Sequence, residues 1–398
     1  MSGEVPQGWT LTRLRGLLAE SEEPGSTGLT ADKLTVKLYG KGVLAKHDRV
    51  PGSVNTRYFR RRSGQFIYSR LDFLNGAFGI IPPELDGRES TADLPAFDIL
   101  PTADPAWLLY FVSRPDFYER HGSAAIGSRK ARRISPDELL ALELFLPPLP
   151  EQRKIAAILS SVDEAIQATR RVIDQTRRVK EGLLQDLLTR GLPGHHTRFK
   201  MTEIGEIPEG WEVRSLGQVL ESLDHLRVPV KSTDRAETKG TVPYYGASGI
   251  IDWVNESLFN ETLLLLGEDG ANLLTRSSPI AFVISGPAWV NNHAHVYRSK
   301  GRVMLDFAAH WIESQSLEPW VTGSAQPKLN GKAAARIPMP VPPLLEQKGV
   351  CDVISGLDGN IECEGEKRRS LDAIKSGLLQ DLLTGKVRVT FDKRNRSV

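Results

Sequence analysis

One block of eight residues, Gly-Leu-Leu-Gln-Asp-Leu-Leu-Thr, stands at 182–189 and again, unchanged, at 377–384. Other blocks recur with it. Val5-Pro6-Gln7-Gly8-Trp9 is echoed 202 positions later by Ile207-Pro208-Glu209-Gly210-Trp211, and Leu14 and Leu18 by Leu216 and Leu220. Trp107 to Val112, followed by Gly122-Ser123-Ala124, matches Ala308 to Ile312, followed by Gly323-Ser324-Ala325, at an offset of 201. Pro147-Pro148-Leu149 with Glu151-Gln152 returns as Pro342-Pro343-Leu344 with Glu346-Gln347, now offset by 195. Unrelated Leu-rich helices would share a composition but not this order. The chain is a tandem duplication and must fold as two copies of one plan.

Length agrees, because 398 residues exceed what one hydrophobic core usually organises. Hydrophobic residues make up 40% and charged residues 25%, with seven Trp and thirteen Phe, the composition of a folded chain rather than a disordered one. Lys plus Arg number 51 against 49 for Asp plus Glu, so a net charge of +2 gives no global case for nucleic acid, and any such contact must rest on local patches. Cys351 and Cys363 have no second pair to complete a zinc site or a disulfide framework, as expected in a reducing cytoplasm. No apolar run has the form of a signal peptide or approaches the roughly 18 to 20 residues of a membrane span. The expectation is a cytoplasmic protein.

Each Pro-Pro pair excludes helix upstream, and Glu-Gln then opens a long Pro-free segment. Helices are expected over 151–190 and 346–384, each near 60 Å at about 1.5 Å per residue. In the first, Ile155, Leu159, Val162, Ile166, Thr169, Ile173, Thr176, Val179, Leu183 and Leu187 form a seam with coiled-coil spacing. The second supplies Val350, Ile354, Leu357, Ile361, Leu371, Ile374, Leu378 and Leu382, interrupted by Glu364 and Arg368 and weakened by Gly356, Gly359 and Gly365. Two amphipathic helices of equal length in one chain are each other's nearest apolar surface, which favours antiparallel packing. The alternative gives each helix a foreign partner.

With these junctions in view, the chain resembles the specificity subunits of type I restriction-modification systems over nearly its whole length. The resemblance is carried by the P-x-G-W openings, PPLPEQRKI and PPLLEQK, the GLLQDLLT helix ends, IGEIPEGWEV, and then YYGASGIIDWV, GEDGANLL, WVNNHAHV and GSAQPKLN in order. The first half matches more loosely, through FIYSRLDFLNGAFGIIPPELDG and GSRKARRIS.

It implies an α/β (α+β) fold of two similar target-recognition domains in tandem, at 1–150 and 191–345. Each is followed by a long helix, 151–190 and 346–384, with a tail at 385–398, and the helices pack as an antiparallel coiled coil with pseudo-two-fold symmetry. The residues are compatible. Leu263 to Leu266 and Ile280 to Ile284 read as buried strands and Val303 to Glu313 as a helix. Ser135 and Asn330, aligned by the repeat, read as helix N-caps, as does Asp104 ahead of Pro105.

Catalytic signatures do not emerge. Gly40-Lys41-Gly42 lacks a following glycine in register for a cofactor loop, and Asp104-Pro105-Ala106-Trp107 lacks the second Pro of a methyltransferase loop that grips a target amine. No G-x-x-x-x-G-K-[ST] phosphate cradle occurs. His293 and His295 lack a neighbouring carboxylate or Cys in sequence, so no metal site is expected. A non-catalytic chain is expected. A modification enzyme with an unrecognised site and an interaction protein that uses its coiled coils without DNA are the other readings.

Local basic clusters supply the DNA candidates. Arg57, Arg60, Arg61 and Arg62 alternate with Tyr58 and Phe59, and Arg129, Lys130, Arg132 and Arg133 lie in a Gly-Ser stretch. Guanidinium groups bind phosphates or take guanine edges bidentately, though a solvated basic face would look the same. In the second half the candidates are Tyr244, Tyr245, Ser248, Asn292, His293 and Lys328, of which the two tyrosines also suit a core.

The resemblance further implies double-stranded DNA as ligand, read as a bipartite, asymmetric target. It implies two methyltransferase subunits docked about Glu151, Gln152, Gln185, Asp186, Glu346, Gln347, Gln380 and Asp381, and optionally two restriction and translocase subunits. S-adenosylmethionine, ATP and magnesium would belong to those partners.

Overall fold

The computed structural model describes residues 4–47, 52–120, 133–323 and 326–389. The chain divides into two compact units, one of residues 1–170 with 366–398 and the other of residues 171–365.

In the first unit, β1 (Thr10–Arg13) and the last strand before the first long helix form an antiparallel ladder with Thr10 opposite Leu146. Between them come β2 (Leu18–Ser21), β3 (Pro24–Thr27), β4 (Leu34–Val36), β5 (Val43–Ala45), β6 (Arg57–Arg60), β7 (Phe66–Tyr68), β8 (Phe78–Ile80), β9 (Glu89–Ser90) and β10 (Ala96–Ile99). A four-stranded sheet runs in the order β2-β10-β7-β8, beside a three-stranded β3-β6-β9 sheet and the β4–β5 hairpin. Helix α1 (Pro105–Val112) is capped by the Asp104 side chain on Trp107 N–H, with Pro105 in the first turn as expected. After α2 (Pro115–Arg120), helix α3 (Pro136–Ala141) opens on a capping box between Ser135 and Glu138, and β11 (Glu143–Leu146) closes the unit.

The core is aromatic. Phe66, Tyr68, Phe73, Phe78, Phe97 and Trp107 are fully buried, and Ile155 and Leu159 join them from the helix that follows. Each such side chain contributes on the order of 2 kcal/mol of transfer free energy.

Helix α4 (Leu149–Arg190) begins the passage to the second unit. There β12 (Phe199–Thr202) and β13 (Gly205–Pro208) form a hairpin, and β14 (Glu212–Ser215) leads through α5 (Leu216–Val219) to β15 (Leu220–Ser222). Next come α6 (Ser232–Glu237), β16 (Lys239–Gly246), β17 (Gly249–Val254), β18 (Phe259–Asn260), β19 (Leu263–Gly267), α7 (Asn272–Thr275), β20 (Ala281–Ile284), β21 (Pro287–Val290), β22 (Ala294–Ser299) and α8 (Leu305–Ser314). Helix α9 (Gly331–Ala334), capped by Asn330 on Ala333 N–H, precedes β23 (Pro338–Val341) and α10 (Leu344–Leu382).

The plan of the first unit returns. The β14–β23 ladder stands where β1–β11 stood, and the four-stranded sheet β15-β22-β19-β20 repeats the order of β2-β10-β7-β8. A second four-stranded sheet, β17-β16-β21-β18, includes a parallel β16–β21 pairing, and Leu263 to Leu266 of β19 are fully buried. The α/β class that the resemblance implies is what the chain adopts.

The two long helices pack together antiparallel. Asp163 of α4 pairs with Lys375 of α10 at 2.6 Å, and Lys180 with Asp358 at 2.5 Å. A step forward along α4 is thus matched by an equal step back along α10. Ile155, Leu159, Ile166, Thr169 and Ile173 are buried, as are Val350, Ile354 and Leu382.

The expected seam does not continue unchanged, because Val179, Leu183 and Ile374 are exposed. Past Ile173, Thr176 and Lys180 are partly buried, and at the end of α4 Leu184, Leu187 and Leu188 pack into the core of the second unit.

Candidate nucleic-acid interface

Four of the six second-half candidates gather at the end of β19. Glu268 N–H donates to His293 O at 2.8 Å, Leu329 N–H donates to Glu268 O at 2.7 Å, and Asp269 bridges Lys328 in the backbone. A Cβ built on Gly267 would lie 3.0 Å from Ala247 O, which brings the β16–β17 turn to the same place. Ser248, Asn292, His293 and Lys328 are all exposed there. Ser248 Oγ accepts from Asn272 Nδ2 at 3.1 Å, and His293 Nδ1 meets both Asp269 oxygens at 2.8 and 2.9 Å.

Beneath this rim lies a polar network that sequence reasoning missed. His295 is buried, with Nδ1 2.6 Å from Asp224 Oδ2 and Nε2 2.8 Å from Leu329 O. A carboxylate and a carbonyl both accept, so both ring nitrogens serve as donors. Arg227 donates to Glu268 at 2.7 Å and to Ala294 O at 2.8 Å, and Lys328 Nζ stands 3.1 Å from Glu268.

Burial alone would raise the Glu268 carboxyl. The hydrogen bond from Arg227 and the charge of His295 outweigh it and hold the group below its ordinary value. Asp224 is lowered in the same way, against its own burial, chiefly by His295. The network fixes the backbone that presents His293 and Lys328. The signal in sequence was Asp224, a carboxylate 71 positions from His295 that lies in contact with it only after folding.

Tyr244 and Tyr245 do not belong to the rim. Tyr244 is 1% exposed, and its hydroxyl accepts from Val230 N–H at 3.1 Å. Tyr245 packs near Phe282, with ring centroids 6.1 Å apart. Their place in a core, open from sequence, is the one the fold takes, and Tyr244 is withdrawn as a DNA contact.

In the first unit the arginine run splits: Arg57 and Arg60, the two ends of β6, and Arg62 beyond it are exposed, while Arg61 is buried. Arg61 is 2% exposed and corrects the expectation of a DNA contact. Its guanidinium donates to Ser90 Oγ and Ser21 O at 2.7 Å each and to Leu94 O at 3.2 Å, and burial draws its pKa down to about 10. A buried charge of this kind is a structural tie.

Arg60 and Arg62 face outward and share Glu23, Arg62 bidentately. Arg57 is exposed and has no ion-pair partner among the described residues. Arg133 is exposed and 3.7 Å from Asp93. Arg129, Lys130 and Arg132 lie outside the described residues.

The junction residues are more deeply placed than expected of partner contacts. Glu151, Gln152 and Gln347 are completely buried. Gln152 accepts from Asp104 N–H at 2.8 Å and donates to Thr102 O and Pro147 O at 3.1 and 2.9 Å. Gln347 repeats this, accepting from Met304 N–H at 2.7 Å and donating to Arg302 O and Pro342 O at 3.0 and 2.8 Å.

Glu151 receives Trp9 Nε1 at 3.1 Å and a bidentate Arg388 at 2.7 and 2.8 Å. Glu346 receives Trp211 Nε1 at 3.0 Å and meets His196 Nε2 at 2.6 Å. These four residues weld each long helix to its unit; Glu151, Gln152 and Gln347, buried and fully bonded, are withdrawn as partner contacts, while Glu346 stays partly exposed. Gln185, Asp186 and Gln380 remain exposed, and Asp381 is partly exposed beside Lys386.

Among the described residues no group of three or more His, Cys, Asp or Glu side chains could hold a metal ion. None of the described helices is long and apolar enough to cross a membrane.

Residues 208–373 match the family described as type I restriction modification DNA specificity domain. The chain is 28% identical over 274 residues to the type I restriction enzyme MjaVIII specificity subunit of Methanocaldococcus jannaschii, covering 62% of this chain and 63% of that protein. Its fold is that of the HsdS subunit from Thermoanaerobacter tengcongensis, with a TM-score of 0.52 and 16% identity over 97% of this chain and 99% of the other. The type I restriction-modification S subunit from M. genitalium aligns with a TM-score of 0.57 and 16% identity over 98% and 99%.

Proposed function

This chain is a relative of the specificity subunits of type I restriction-modification systems, and from that premise we propose that it recognises double-stranded DNA and directs partner enzymes to it. The observation that carries the reading is one fold plan built twice in one chain with unlike exposed residues at the two candidate surfaces. Arg57, Arg60, Arg62 and Arg133 stand in the first unit, and Ser248, Asn292, His293 and Lys328 in the second. Two unlike readers on one plan suit a bipartite, asymmetric target, each copy taking a short half-site.

In this reading the exposed Asn292, His293 and Lys328 meet bases and phosphates, Asn being suited to adenine edges. The buried His295 network holds their backbone in register. Two methyltransferase subunits, and restriction subunits where present, dock on exposed helix residues such as Gln185, Asp186 and Gln380. Those partners bind S-adenosylmethionine, ATP and magnesium, while this chain supplies recognition and no catalysis.

The test is selection of duplexes from a randomised library by the full chain, followed by a methyl-transfer assay without partners. Enrichment of two short, unlike blocks separated by an unread spacer, with no methyl transfer, is the expected outcome. Recovery of no preferred duplex, or robust turnover by the chain alone, overturns the reading.

A further inference from the structure

We propose that the tip of the β4–β5 hairpin, Lys37 to Gly42, is a DNA-contacting finger of the first unit, with the Tyr39 ring as its reading group and Lys37 and Lys41 on the flanking phosphates. The proposal rests on the DNA-recognition reading above and names an element which that reading does not use.

The hairpin is closed by Lys37 N–H on Gly42 O at 2.9 Å, and Lys41 N–H returns to Leu38 O at 3.3 Å. The two central residues of that turn, Tyr39 and Gly40, have φ of +57° and +65°. Positive φ at both positions is the pattern of a type I′ turn, whose first central residue is ordinarily Asn, Asp or Gly. A bulky Tyr in the left-handed region is an outlier, and such a residue persists only where its surroundings over-determine it.

Here they do. Tyr39 N–H donates to Asn75 O at 2.8 Å and Gly40 N–H to Gly76 O at 2.9 Å, so the turn's backbone is pinned from behind. Gly79 lies against Val43 so closely that a Cβ there would fall 2.5 Å from Val43 Cγ2. The fold accepts a strained residue and then fixes it.

What the strain presents is an exposed ring. Tyr39 is 65% exposed, so its side chain repays the unfavourable backbone with little burial. Lys37, Leu38 and Lys41 are exposed with it. Neither lysine has an ion-pair partner among the described residues, in contrast to Arg60 and Arg62, which share Glu23. A rigid aromatic flanked by two uncompensated cations fits a nucleic-acid groove, where the cations take phosphates and the ring meets bases or sugars.

The experiment uses the full chain and the duplexes that the wild type enriches from a randomised library. Tyr39→Gly and Tyr39→Asn suit the turn better than Tyr, so they leave the melting temperature unchanged or raised. Their affinity for the selected duplex should fall roughly fivefold or more, the low end of one base contact. Repeat selection should change one half-site only. The K37A/K41A double variant should reduce the slope of log affinity against log salt by about two.

Wild-type affinity and slope in these variants, with selection by the wild type intact, overturn the finger and leave the DNA reading standing. A fall in melting temperature in Y39G assigns the ring to the fold and overturns it too. Failure of the wild type to select any duplex overturns both.

Discussion

Trp9 donates its indole N–H to the Glu151 carboxylate at 3.1 Å, across 142 positions of sequence. Trp211 does the same to Glu346 at 3.0 Å. The two carboxylates differ in what completes them, a bidentate Arg388 in one unit and His196 in the other. Arg388→Ala leaves a completely buried carboxylate with the Trp9 and Val389 N–H groups but without its cation, a loss of about 2 kcal/mol. The expected result is earlier loss of hydrogen-exchange protection in β1 and β11, with β14 and β23 unaffected. Equal loss in both ladders would refute the assignment.

Gly191 beside Glu346 and Gly385 beside Pro6 and Trp9 should be intolerant of a methyl group. Gly191 has φ of +80° and its Cβ would collide with Glu346, and Gly385, at +74°, would set one 2.6 Å from Pro6. Gly356, Gly359 and Gly377 lie in α10 with open space at the Cβ position. Ala at each helical site should stabilise by about 0.5 to 1 kcal/mol, and Ala at Gly191 or Gly385 should destabilise by more than that. Thermal melts of the five single variants decide it.

Acid should loosen the rim of the second unit through Glu268 and Asp224. Both carboxyls are held below their ordinary values of 4.5 and 3.8. Their stabilisation is therefore complete above those values and is lost as pH falls through the lower folded ones. Exchange protection of β19 and β22 should decline below about pH 4 in the wild type. Glu268→Gln should start from lower stability and show a flatter acid limb. An identical acid limb in the variant would remove Glu268 from the account.

The two thiols should separate cleanly. Cys351 is buried, and that burial, aided by Asp306 and Asp352, pushes its pKa up to about 12, whereas Cys363 is exposed. Thiolate is the reactive form, so native protein near neutral pH should take one equivalent of alkylating agent rapidly, at Cys363. Mass spectrometry finding Cys351 labelled at a similar rate would contradict the packing of α10.

Much of the architecture was legible because it is written twice. The Pro-Pro-Leu junctions, the helix ends and the N-caps at Ser135 and Asn330 each appear in both copies, and local chemistry gives them the same structure. Side-chain direction was less legible. Arg61 sits among Arg57, Arg60 and Arg62 in a run that reads uniformly basic, yet just past the end of β6 its side chain turns inward to Ser90 and Ser21. Glu151 and Gln152 look like surface residues at a helix start until Trp9, Asp104 and Thr102 are brought against them. Those contacts are long-range, and composition carries no trace of them. A usable signal was present, since the P-x-G-W openings and the Glu-Gln pairs recur together.

The glutamine welds carry a consequence for how such a chain can change over generations. Gln152 and Gln347 bond only to main-chain atoms, and beyond the shared Pro147 and Pro342 the residues that supply those atoms are unlike: Thr102 and Asp104 in one copy, Arg302 and Met304 in the other. A joint that grips backbone is indifferent to the side chains it grips. Mutations can therefore accumulate beside it, and a diverged segment of equal length can be grafted between the joints, without the helix losing its footing.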